Sequence, residues 1–463
     1  MANAIAAHLS GRGLRVWFRL ALWFAALAWG MAACNRSRPP PDVFIISVDT
    51  LRTDHVSAYN PASPASTPHI DSMVADGVRF TQAFTPVSVT GPAFASVMTG
   101  LAPETHGVFT NLFRGGDALS DEHTTLAELF AAQGYRTGAF VSAFTLRRAL
   151  GLDQGFAVYN GGEEKNRDGS VTAETMVSWL SVQEGPVFGW FHTFDPHGPL
   201  ARMATPEDFA KEWESNPLHQ KHLPMYQRIG DVTQHELYET LYARGVERAD
   251  ASVGTVLKAL KALDRYDNAL VVVLADHGEG FRERGLWYDH GTSAHVEQTR
   301  VPLVIKYADA RHAGRTDERL VSLVDVAPTI VDAVGLPAQR LDGHSLRGTA
   351  GVRRVVTSES SHCKRVDVLD CAPAGGQGKE IAVRSIEQTL VSKSTELGER
   401  EEVYDRSAHS DEIRPSQGEA SAALAAELKR VRSDRRTRQY GPLPDVQARD
   451  ATSEKLRSLG YME

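Results

Sequence analysis

The sequence predicts an α/β protein with a mostly parallel β-sheet sandwiched by helices, followed by a small antiparallel sheet with one helix. From residue 42 to about residue 346, short β-branched runs alternate with longer helical runs, which is the pattern of parallel strands joined by helical crossovers. After residue 346, short strand-like runs are separated by polar turns. The chain of 463 residues exceeds the usual size of one hydrophobic core. We therefore expect a large domain at residues 42–346 and a small C-terminal α+β subdomain at residues 347–463.

Each predicted element has a local signal in the sequence. Apolar runs rich in β-branched residues indicate buried strands at residues 43–48, 269–275 and 301–305. Longer helical runs lie at residues 124–133, 237–263 and 324–334. In the last of these, Asp325 and Pro328 are helix-start signals. The C-terminal subdomain is expected to contain strands at residues 353–358, 381–385 and 388–392 and a helix at residues 421–431.

Two of the predicted strands are followed directly by an aspartate. Asp49 follows the first strand, and Asp276 with His277 follows the strand at residues 269–275. In open α/β sheets, ligands bind beyond the carboxyl ends of the strands. Two carboxylates and an imidazole converging there would be unfavourable unless a divalent metal lay between them. The alternative is that each Asp caps the next helix, but the pair with His277 favours a metal.

Thr90 is a candidate nucleophile because of its place before a predicted helix. Pro92 suits the first turn of that helix, and Gly100 suits its C-terminal cap. The free N–H groups and the dipole at a helix N-terminus favour an anion, such as substrate oxygens or a developing alkoxide. A metal would lower the pKa of the hydroxyl further and make Thr90 a nucleophile. The alternative is that Thr90 is an ordinary N-cap.

Composition and charge exclude some classes of partner. The 42% hydrophobic and 23% charged residues are typical of a soluble globular protein. The net charge of −8 argues against a nucleic-acid partner, which would need a basic surface. The basic cluster at residues 429–438 is interpreted as a solvated helix face. In an oxidising compartment we expect Cys363 and Cys371 to form a local disulfide.

The N-terminus is interpreted as a targeting segment rather than part of the fold. Three arginines precede an apolar run at residues 20–33, which is too short to cross a bilayer comfortably. The run ends in small residues followed by Cys34, which resembles the lipobox of bacterial lipoproteins. Residues 1–34 would then be a lipoprotein-type signal peptide and residues 35–41 a linker. A Cys34 lipid, or alternatively an uncleaved anchor, would tether the protein to a membrane outside the cytoplasm, on the periplasmic or cell-surface side.

An ordered series of motifs resembles the sulfatase family of the alkaline phosphatase superfamily, over nearly all of residues 42–463. The matching stretches are Ser47-Val48-Asp49-Thr50-Leu51-Arg52, residues 90–100, Asp195-Pro196-His197-Gly198-Pro199, Asp276-His277-Gly278-Glu279 and Leu341-Asp342-Gly343-His344. The resemblance implies an alkaline-phosphatase-like sheet. It also implies that Asp49, Asp276 and His277 ligate a divalent cation (Ca²⁺, Mg²⁺, Mn²⁺ or Zn²⁺), with the Thr90 oxygen near it.

Histidines beyond the metal set receive roles only from the resemblance. His197 corresponds to a histidine that contacts the ester group, and His290 falls near a residue that helps the leaving group. Each of them is alternatively a turn or surface histidine, and His295 is interpreted as structural. Asp195, His197 and His290 offer donors for a second metal, but one metal is expected.

Five positions depart from the family pattern. Arylsulfatases carry a Cys or Ser that becomes formylglycine and an Arg four positions later, where this chain has Thr90 and Phe94. Thr50 stands where a second metal-binding Asp is usual, and Ser142 and Phe144 stand where a Lys and a His are usual. Threonine cannot become the aldehyde. The pattern therefore resembles the threonine-nucleophile branches of the superfamily, which act on phosphodiesters, phosphonates or lipid phosphoglycerol groups.

These observations favour a metal-dependent hydrolase or transferase of phosphate, phosphonate or sulfate esters. Thr90 would be the catalytic nucleophile, with His197 and His290 as catalytic partners. The substrate would be an anionic ester on a small molecule, a glycan or a lipid head group. One alternative is a sulfuric ester hydrolase proper. Another is a catalytically degenerate lipoprotein that binds an anion or glycan without turnover, since a fold alone does not guarantee an activity.

Overall fold

The computed structural model describes residues 39–111, 118–163, 165–210, 223–285, 287–337, 339–348, 355–360, 379–395, 398–408 and 410–436. The predictions about the signal peptide, Cys34, and the Cys363–Cys371 disulfide lie outside these residues. Among the helices within the described ranges, none is long and apolar enough to cross a membrane.

Within the described ranges, the central sheet has eight strands, and most neighbouring strands are parallel. They are β1 (Asp42–Val48), β2 (Val78–Phe84), β3 (Arg136–Val141), β4 (Val158–Gly161), β5 (Val187–Thr193), β6 (Ala269–Ala275), β7 (Leu303–Lys306) and β8 (Arg315–Ser322). Their order is β4-β3-β5-β1-β6-β7-β2-β8, and only β7 runs antiparallel to its neighbours. Every position of β1, β5 and β6 is buried, which requires cover on both faces of the sheet. The predicted α/β fold class is confirmed.

The described helices include each one predicted from the sequence, with ends up to five residues from the expected ones, and others that were not predicted. They are α1 (Pro68–Asp76), α2 (Thr90–Thr99), α3 (Pro103–His106), α4 (Leu126–Ala132), α5 (Gly169–Leu180), α6 (Pro206–Ala210), α7 (His235–Ala262), α8 (Val296–Thr299), α9 (Val326–Val334) and α10 (Ala422–Arg436). Thr125 caps α4, because its side chain accepts from the Glu128 N–H and the Glu128 carboxylate accepts from the Thr125 N–H. Gly100 ends α2 at φ 68°, a left-handed conformation that glycine adopts without strain.

The C-terminal part contains the expected antiparallel sheet and helix. Its strands are β9 (Val356–Glu359), β10 (Glu380–Arg384), β11 (Gln388–Thr395) and β12 (Gly398–Asp405), in the order β12-β11-β10-β9. Helix α10 packs on this sheet through Leu424, Leu428 and Val431, which share an apolar cluster with Val383 and Leu390. This second prediction of the fold class is also confirmed.

Among the strands that the sequence analysis did not single out, β3 and β5 lie inside the central sheet, whereas β8 and β12 lie at the edges of their sheets. β8 opens with Arg315-Thr316-Asp317-Glu318, and its first half is mostly exposed. β12 is exposed over Gly398–Glu401. Edge strands of soluble proteins carry charged side chains that discourage pairing with other chains. Such strands lack the apolar runs that mark buried ones, so the prediction of three C-terminal strands was one strand short.

The small sheet contacts the segment that leads into α2. The Ser88 N–H donates to the Glu359 carbonyl (3.1 Å), and the Glu359 N–H donates to the Pro86 carbonyl (2.8 Å). The Ser358 hydroxyl donates to the Thr85 carbonyl at 2.7 Å. The first strand of the small sheet therefore fixes the backbone just before Thr90.

A buried ion network joins the small sheet to the loop between β6 and β7. Arg384 pairs with Glu412 in a bidentate contact, at 2.7 and 2.9 Å, and both side chains are fully buried. Arg384 also donates to the Ala294 carbonyl (2.6 Å), and His295 Nδ1 lies 3.3 Å from Glu412 Oε2. His295 thus lies in this interface, as its structural interpretation implies.

Candidate active site

The candidate site forms where three neighbouring parallel strands end. β1 lies between β5 and β6 in the sheet. Asp49 follows β1, Asp276 and His277 follow β6, and His192 is the last but one residue of β5. All four side chains are fully buried. The structure therefore brings together the predicted carboxylates at the carboxyl edge of the sheet, where open α/β sheets bind ligands.

Thr90 faces this group from the first turn of α2. The residue at the N-cap position is Val89, so Thr90 does not act as the cap. Its Oγ1 lies 3.4 Å from Asp49 Oδ2 and 3.3 Å from His277 Nε2. The predicted nucleophile thus lies next to the predicted metal ligands in space, although 187 positions separate Thr90 from His277 in the sequence.

Asn111 fixes the backbone beside Thr90. Its Oδ1 accepts a 2.6 Å hydrogen bond from the Gly91 N–H, one of the free donors of the helix N-terminus. A Cβ on Gly91 would lie only 2.8 Å from that oxygen, so glycine permits the close approach. Asn111 therefore holds the first turn of α2 in place, a role that nothing in the sequence reading assigned.

The donor atoms are spaced as ligands around one small cation are. Within the described ranges, Asp49, His192 and Asp276 are the only group of three or more metal-type side chains whose donor atoms all lie within 4.8 Å of one another. Asp49 Oδ1 and Asp276 Oδ2 are buried without a hydrogen-bond partner. His277 is not part of this compact group, although its Nε2 lies 3.4 Å from Asp276 Oδ2. Buried carboxylate oxygens without partners fit a divalent cation.

The electrostatics of the site point the same way. Burial, and then the charge of Asp49, raise the pKa of Asp276 to about 6. Burial and the charge of Glu279 raise the pKa of Asp49 well above its usual value. Burial lowers the pKa of His192 to about 4, so its imidazole is neutral at pH 7. Carboxylates that resist ionisation beside a neutral imidazole are a favourable environment for a cation, which would supply the missing positive charge.

His197 and His290 lie next to the metal-type group. The His290 ring centroid is 4.5 Å from that of His277 and 4.8 Å from that of His197. His290 Nδ1 lies 3.2 Å from Glu279 Oε1, and His197 Nδ1 lies 2.8 Å from the Gly198 carbonyl. Burial lowers the pKa of His290 to about 4 and that of His197 well below its usual value. Both predicted catalytic histidines are therefore buried and neutral rather than on the surface.

Thr50 occupies a strained backbone position at the site. Its φ of 55° lies in the left-handed region, which is unusual for a β-branched residue. Its N–H donates to Asp276 Oδ1 (3.1 Å), and its hydroxyl donates to the Asp49 carbonyl (2.8 Å). Strain of this kind is typical of functional sites. Here it directs a backbone N–H at one of the two carboxylates.

The other positions that differ from the family pattern hold uncharged side chains, which pack or form hydrogen bonds with their neighbours. Phe94 is fully buried, with its ring centroid 4.9 Å from that of Trp190 and 5.3 Å from that of His192. Ser142 shares a 2.7 Å hydrogen bond with Thr172. None of these side chains places a cation on the site.

One cation nevertheless lies close enough to act on the site, because the charge of Arg202 lowers the pKa of Asp49 against the effect of burial. The Phe144 ring lies 4.0 Å from the guanidinium carbon of Arg147. The Arg202 guanidinium donates to the carbonyls of Asp195 and His197, at 2.8 and 3.0 Å. Asp195, considered for a second metal, accepts from the Thr193 hydroxyl at 2.7 Å and the Gly169 N–H at 3.1 Å through the same oxygen.

His192 is the residue that sequence reasoning missed at the centre of the site. It stands alone between Phe191 and Thr193 in a buried strand and belongs to no recognisable spacing. The available signal was its place at the carboxyl end of a strand just before the Asp195-Pro196-His197 motif.

The fold and this site define an α/β ester hydrolase of the alkaline phosphatase superfamily. Residues 41–336 match the model of the family described as Sulfatase, which covers more than half of the chain. The chain belongs to the sulfatase family.

Curated relatives agree with this family. Arylsulfatase A of Homo sapiens is 28% identical over 367 residues, which are 69% of this chain and 69% of that protein. Delta 4,5-hexuronate-2-O-sulfatase of Bacteroides thetaiotaomicron is 24% identical over 353 residues, which are 67% of this chain and 73% of that protein.

Solved structures share the fold at low identity. The phosphonate monoester hydrolase of Agrobacterium radiobacter has a TM-score of 0.66 at 22% identity, over 86% of this chain and 95% of that one. A structure in complex with its substrate D-glucosamine-2-N,6-O-disulfate has a TM-score of 0.68 at 17% identity, over 87% of this chain and 99% of that one.

Proposed function

We propose that the protein is a metal-dependent hydrolase of phosphate- or phosphonate-type esters that uses Thr90 as its nucleophile. One observation carries the proposal: Thr90 Oγ1, at the start of α2, lies within 3.4 Å of both Asp49 Oδ2 and His277 Nε2. A hydroxyl in this position meets the N-terminus of a helix on one side and the candidate cation site on the other. The family's sulfatases and the phosphonate monoester hydrolase fold neighbour fit the same class of reaction.

In the proposed reaction, Thr90 Oγ1 attacks the phosphorus atom and forms a covalent ester, while the bond from phosphorus to the leaving oxygen breaks. A divalent cation held by Asp49, Asp276 and His277 would lower the pKa of the hydroxyl and neutralise the substrate's charge. Water then attacks the same phosphorus and releases Thr90. Asp49 Oδ2 faces the hydroxyl as the acceptor for its hydrogen bond.

The leaving group requires a proton, and His290 is placed to provide it. The ring of His290 packs against those of both His197 and His277, and its Nδ1 contacts Glu279. Burial raises the pKa of Glu279 well above its usual value, which favours a protonated carboxyl beside the neutral His290. His290 would pass that proton to the leaving oxygen, and His197 would orient the ester.

Phosphorus is favoured over sulfur because of the nucleophile. A formylglycine hydrate can expel sulfate by reforming its aldehyde, and a threonine has no such route. A threonyl phosphoester is instead released by direct attack of water. The sulfatase relatives make sulfuric ester hydrolysis the second candidate, with a sulfated glycan as a substrate class, since one fold neighbour binds a sulfated glucosamine.

Turnover by matched variants tests the proposal. Purified protein is assayed with nitrophenyl phosphate, a nitrophenyl phosphodiester, a phenylphosphonate monoester and nitrophenyl sulfate, each with Mg²⁺, Ca²⁺, Mn²⁺ or Zn²⁺. Thr90→Ala is expected to abolish turnover, whereas Thr90→Ser should retain a measurable rate because it keeps the hydroxyl. Faster cleavage of the sulfate would select the second candidate. Equal rates for wild type and Thr90→Ala would refute the assigned nucleophile. If the protein bound metal but turned over none of these esters, the alternative of a protein that binds an anion or glycan without turnover would be favoured.

We also propose that the protein is held on the outer side of a bacterial membrane by a lipid on Cys34. The support is the sequence of residues 12–34, with arginines, an apolar run and small residues before the cysteine. Metabolic labelling with a radioactive fatty acid should label the wild type and not a Cys34→Ala variant. Equal labelling of the two would contradict the proposal.

A further inference from the structure

We propose that His192 is a ligand of the metal, and that it gives the site a preference for zinc-class cations over calcium and magnesium. The inference concerns equilibrium metal binding. It rests on the proposed function only in placing a cation between Asp49 and Asp276.

The position of His192 is that of a side chain whose partner is an ion. It is fully buried, and neither ring nitrogen has a hydrogen-bond partner. Its Nε2 lies 3.3 Å from Asp49 Oδ2, and it shares with Asp49 and Asp276 a group of donors within 4.8 Å. A buried imidazole without a hydrogen bond costs free energy, because it has given up its contacts with water. A cation at this point would satisfy the imidazole nitrogen and both carboxylates together.

A simple ion pair with Asp49 explains the geometry less well. A charge-assisted hydrogen bond from nitrogen to oxygen is about 2.7–2.9 Å long, whereas this separation is 3.3 Å and does not meet hydrogen-bond geometry. Two atoms that ligate one tetrahedral zinc at about 2.0–2.1 Å lie about 3.4 Å apart. Two further separations around the site are alike: 3.4 Å from Asp49 Oδ2 to Thr90 Oγ1 and 3.4 Å from Asp276 Oδ2 to His277 Nε2.

The surrounding aromatic residues hold the ring in place. The Phe94 ring meets the His192 ring edge to face, with centroids 5.3 Å apart, and Trp190 lies 6.4 Å from it at 73°. All three side chains are fully buried. The ring therefore cannot turn into solvent to seek other partners. Phe94 thus has a definite role: it packs against a candidate ligand.

The donor set determines which cations fit. Ca²⁺ and Mg²⁺ are bound by oxygen atoms from carboxylates, carbonyls and water. Imidazole nitrogen suits Zn²⁺ and its neighbours among the first-row metals. His192 and His277 supply two nitrogens beside two carboxylates. Thr50 has no carboxylate to add, and its hydroxyl is occupied by donating to the Asp49 carbonyl. A donor set of two imidazoles and two carboxylates suits metals of intermediate softness such as Zn²⁺.

Direct metal binding tests the inference without any substrate. Protein stripped by a chelator is titrated with Zn²⁺ against a competing dye and with Ca²⁺ by calorimetry, and bound metal is counted by mass spectrometry after dialysis. Wild type is expected to bind Zn²⁺ at least 100-fold more tightly than Ca²⁺. His192→Ala should weaken Zn²⁺ binding by more than about 100-fold, beyond the 10- to 100-fold typical of residues that only support a ligand. Its affinity for Ca²⁺ should change little.

Two further variants keep the test decisive. His106→Gln is the matched control, since His106 is a buried imidazole whose nitrogens contact the Ser96 hydroxyl and the Val108 N–H at 3.0 Å. It should leave Zn²⁺ affinity unchanged. His192→Asp replaces nitrogen with oxygen and should shift the preference towards Ca²⁺ and Mn²⁺. Near-ultraviolet circular dichroism of each variant shows that it is folded.

The visible spectrum of bound Co²⁺ distinguishes a ligand from a nearby support. If His192 coordinates the metal, the Co²⁺ bands of the wild type should change in position and intensity in His192→Ala. Unchanged bands, or Zn²⁺ affinity within tenfold of the wild type, would overturn the inference and leave the proposed hydrolase intact. A wild type that prefers Ca²⁺ would overturn it as well. A wild type that binds neither metal would instead refute the metal dependence of the proposed function.

Discussion

Chelation should reveal the energetic cost of placing Asp276 beside Asp49. Burial and the neighbouring carboxylate raise the pKa of Asp276 from 3.8 to about 6 in the folded protein. The metal-free folded state therefore binds a proton more tightly than the unfolded state does. By linkage, the contribution of Asp276 to stability is fully present below pH 3.8 and is lost as the pH rises through about 6. A difference of about 2.2 pKa units corresponds to about 3 kcal/mol.

The experiment compares the chelated wild type with chelated Asp276→Asn, which cannot titrate at this position. Urea unfolding is measured for both proteins at intervals from pH 3.5 to pH 7.5. His290 titrates in the same range in the opposite direction but contributes to both proteins alike, whereas the charge of Asp276 raises the pKa of His192, so a smaller part of the difference comes from His192. The difference in free energy of unfolding, variant minus wild type, should therefore increase by about 3 kcal/mol between pH 3.5 and pH 7.

With the metal bound, the wild type should become more stable at neutral pH relative to Asp276→Asn than it is in the chelated state. The wild type would gain binding free energy from the cation, and Asp276→Asn would lose much of its metal occupancy, which mass spectrometry would measure. A difference in unfolding free energy that stays flat or falls between pH 3.5 and pH 7 in the chelated proteins would refute the reasoning, because it would mean that Asp276 ionises normally without a cation.

Three further predictions concern the stability of the fold. Arg384→Met leaves the buried Glu412 carboxylate without its bidentate partner. The variant should therefore lower the free energy of unfolding by about 3–5 kcal/mol. A loss below about 1 kcal/mol in urea unfolding would contradict a stabilising role for this ion pair. Phe94→Arg restores the residue usual in arylsulfatases but places a charge against Trp190 and His192. Its melting temperature should therefore fall, and no sulfatase activity should appear. Phe94→Leu should lower the free energy of unfolding by only about 1 kcal/mol. Thr125→Ala removes the capping box of α4 and should lower the free energy of unfolding by about 1 kcal/mol. Thr125→Ser keeps the hydroxyl and should be close to wild type in stability. Equal stability of the two variants would argue against a stabilising cap.

Strands β1 and β6 at the centre of the sheet could be predicted because they are buried on both faces. Such strands are continuous β-branched runs, and the residues that follow them face a ligand crevice by topology alone. Asp49 and Asp276 were therefore expected to meet although distant in sequence, whereas the place of Thr90 beside them was implied only by the resemblance to the sulfatase family. The edge strands β8 and β12 were missed because exposure replaces their apolar residues with charged ones.

His192 and Asn111 could not be predicted because their importance depends on contacts between segments. His192 meets Asp49 through the pairing of β5 with β1, whose register is a property of the assembled sheet. Asn111 meets Gly91 across 20 positions by a single hydrogen bond. Neither residue belongs to a local pattern. By contrast, the role of Thr50 in the site is visible only as a backbone angle, which a residue name does not encode.

The support that the small sheet gives to both sides of the site has a consequence for biosynthesis. A nascent chain that has reached residue 350 already includes Asp49, Thr90, Asp276 and His290. It still lacks Glu359, which holds the backbone before Thr90, and the Arg384–Glu412 pair, which holds the loop after His290. We expect such a ribosome-bound chain to be inert, so that catalytic competence arises only when the final quarter of the polypeptide has emerged.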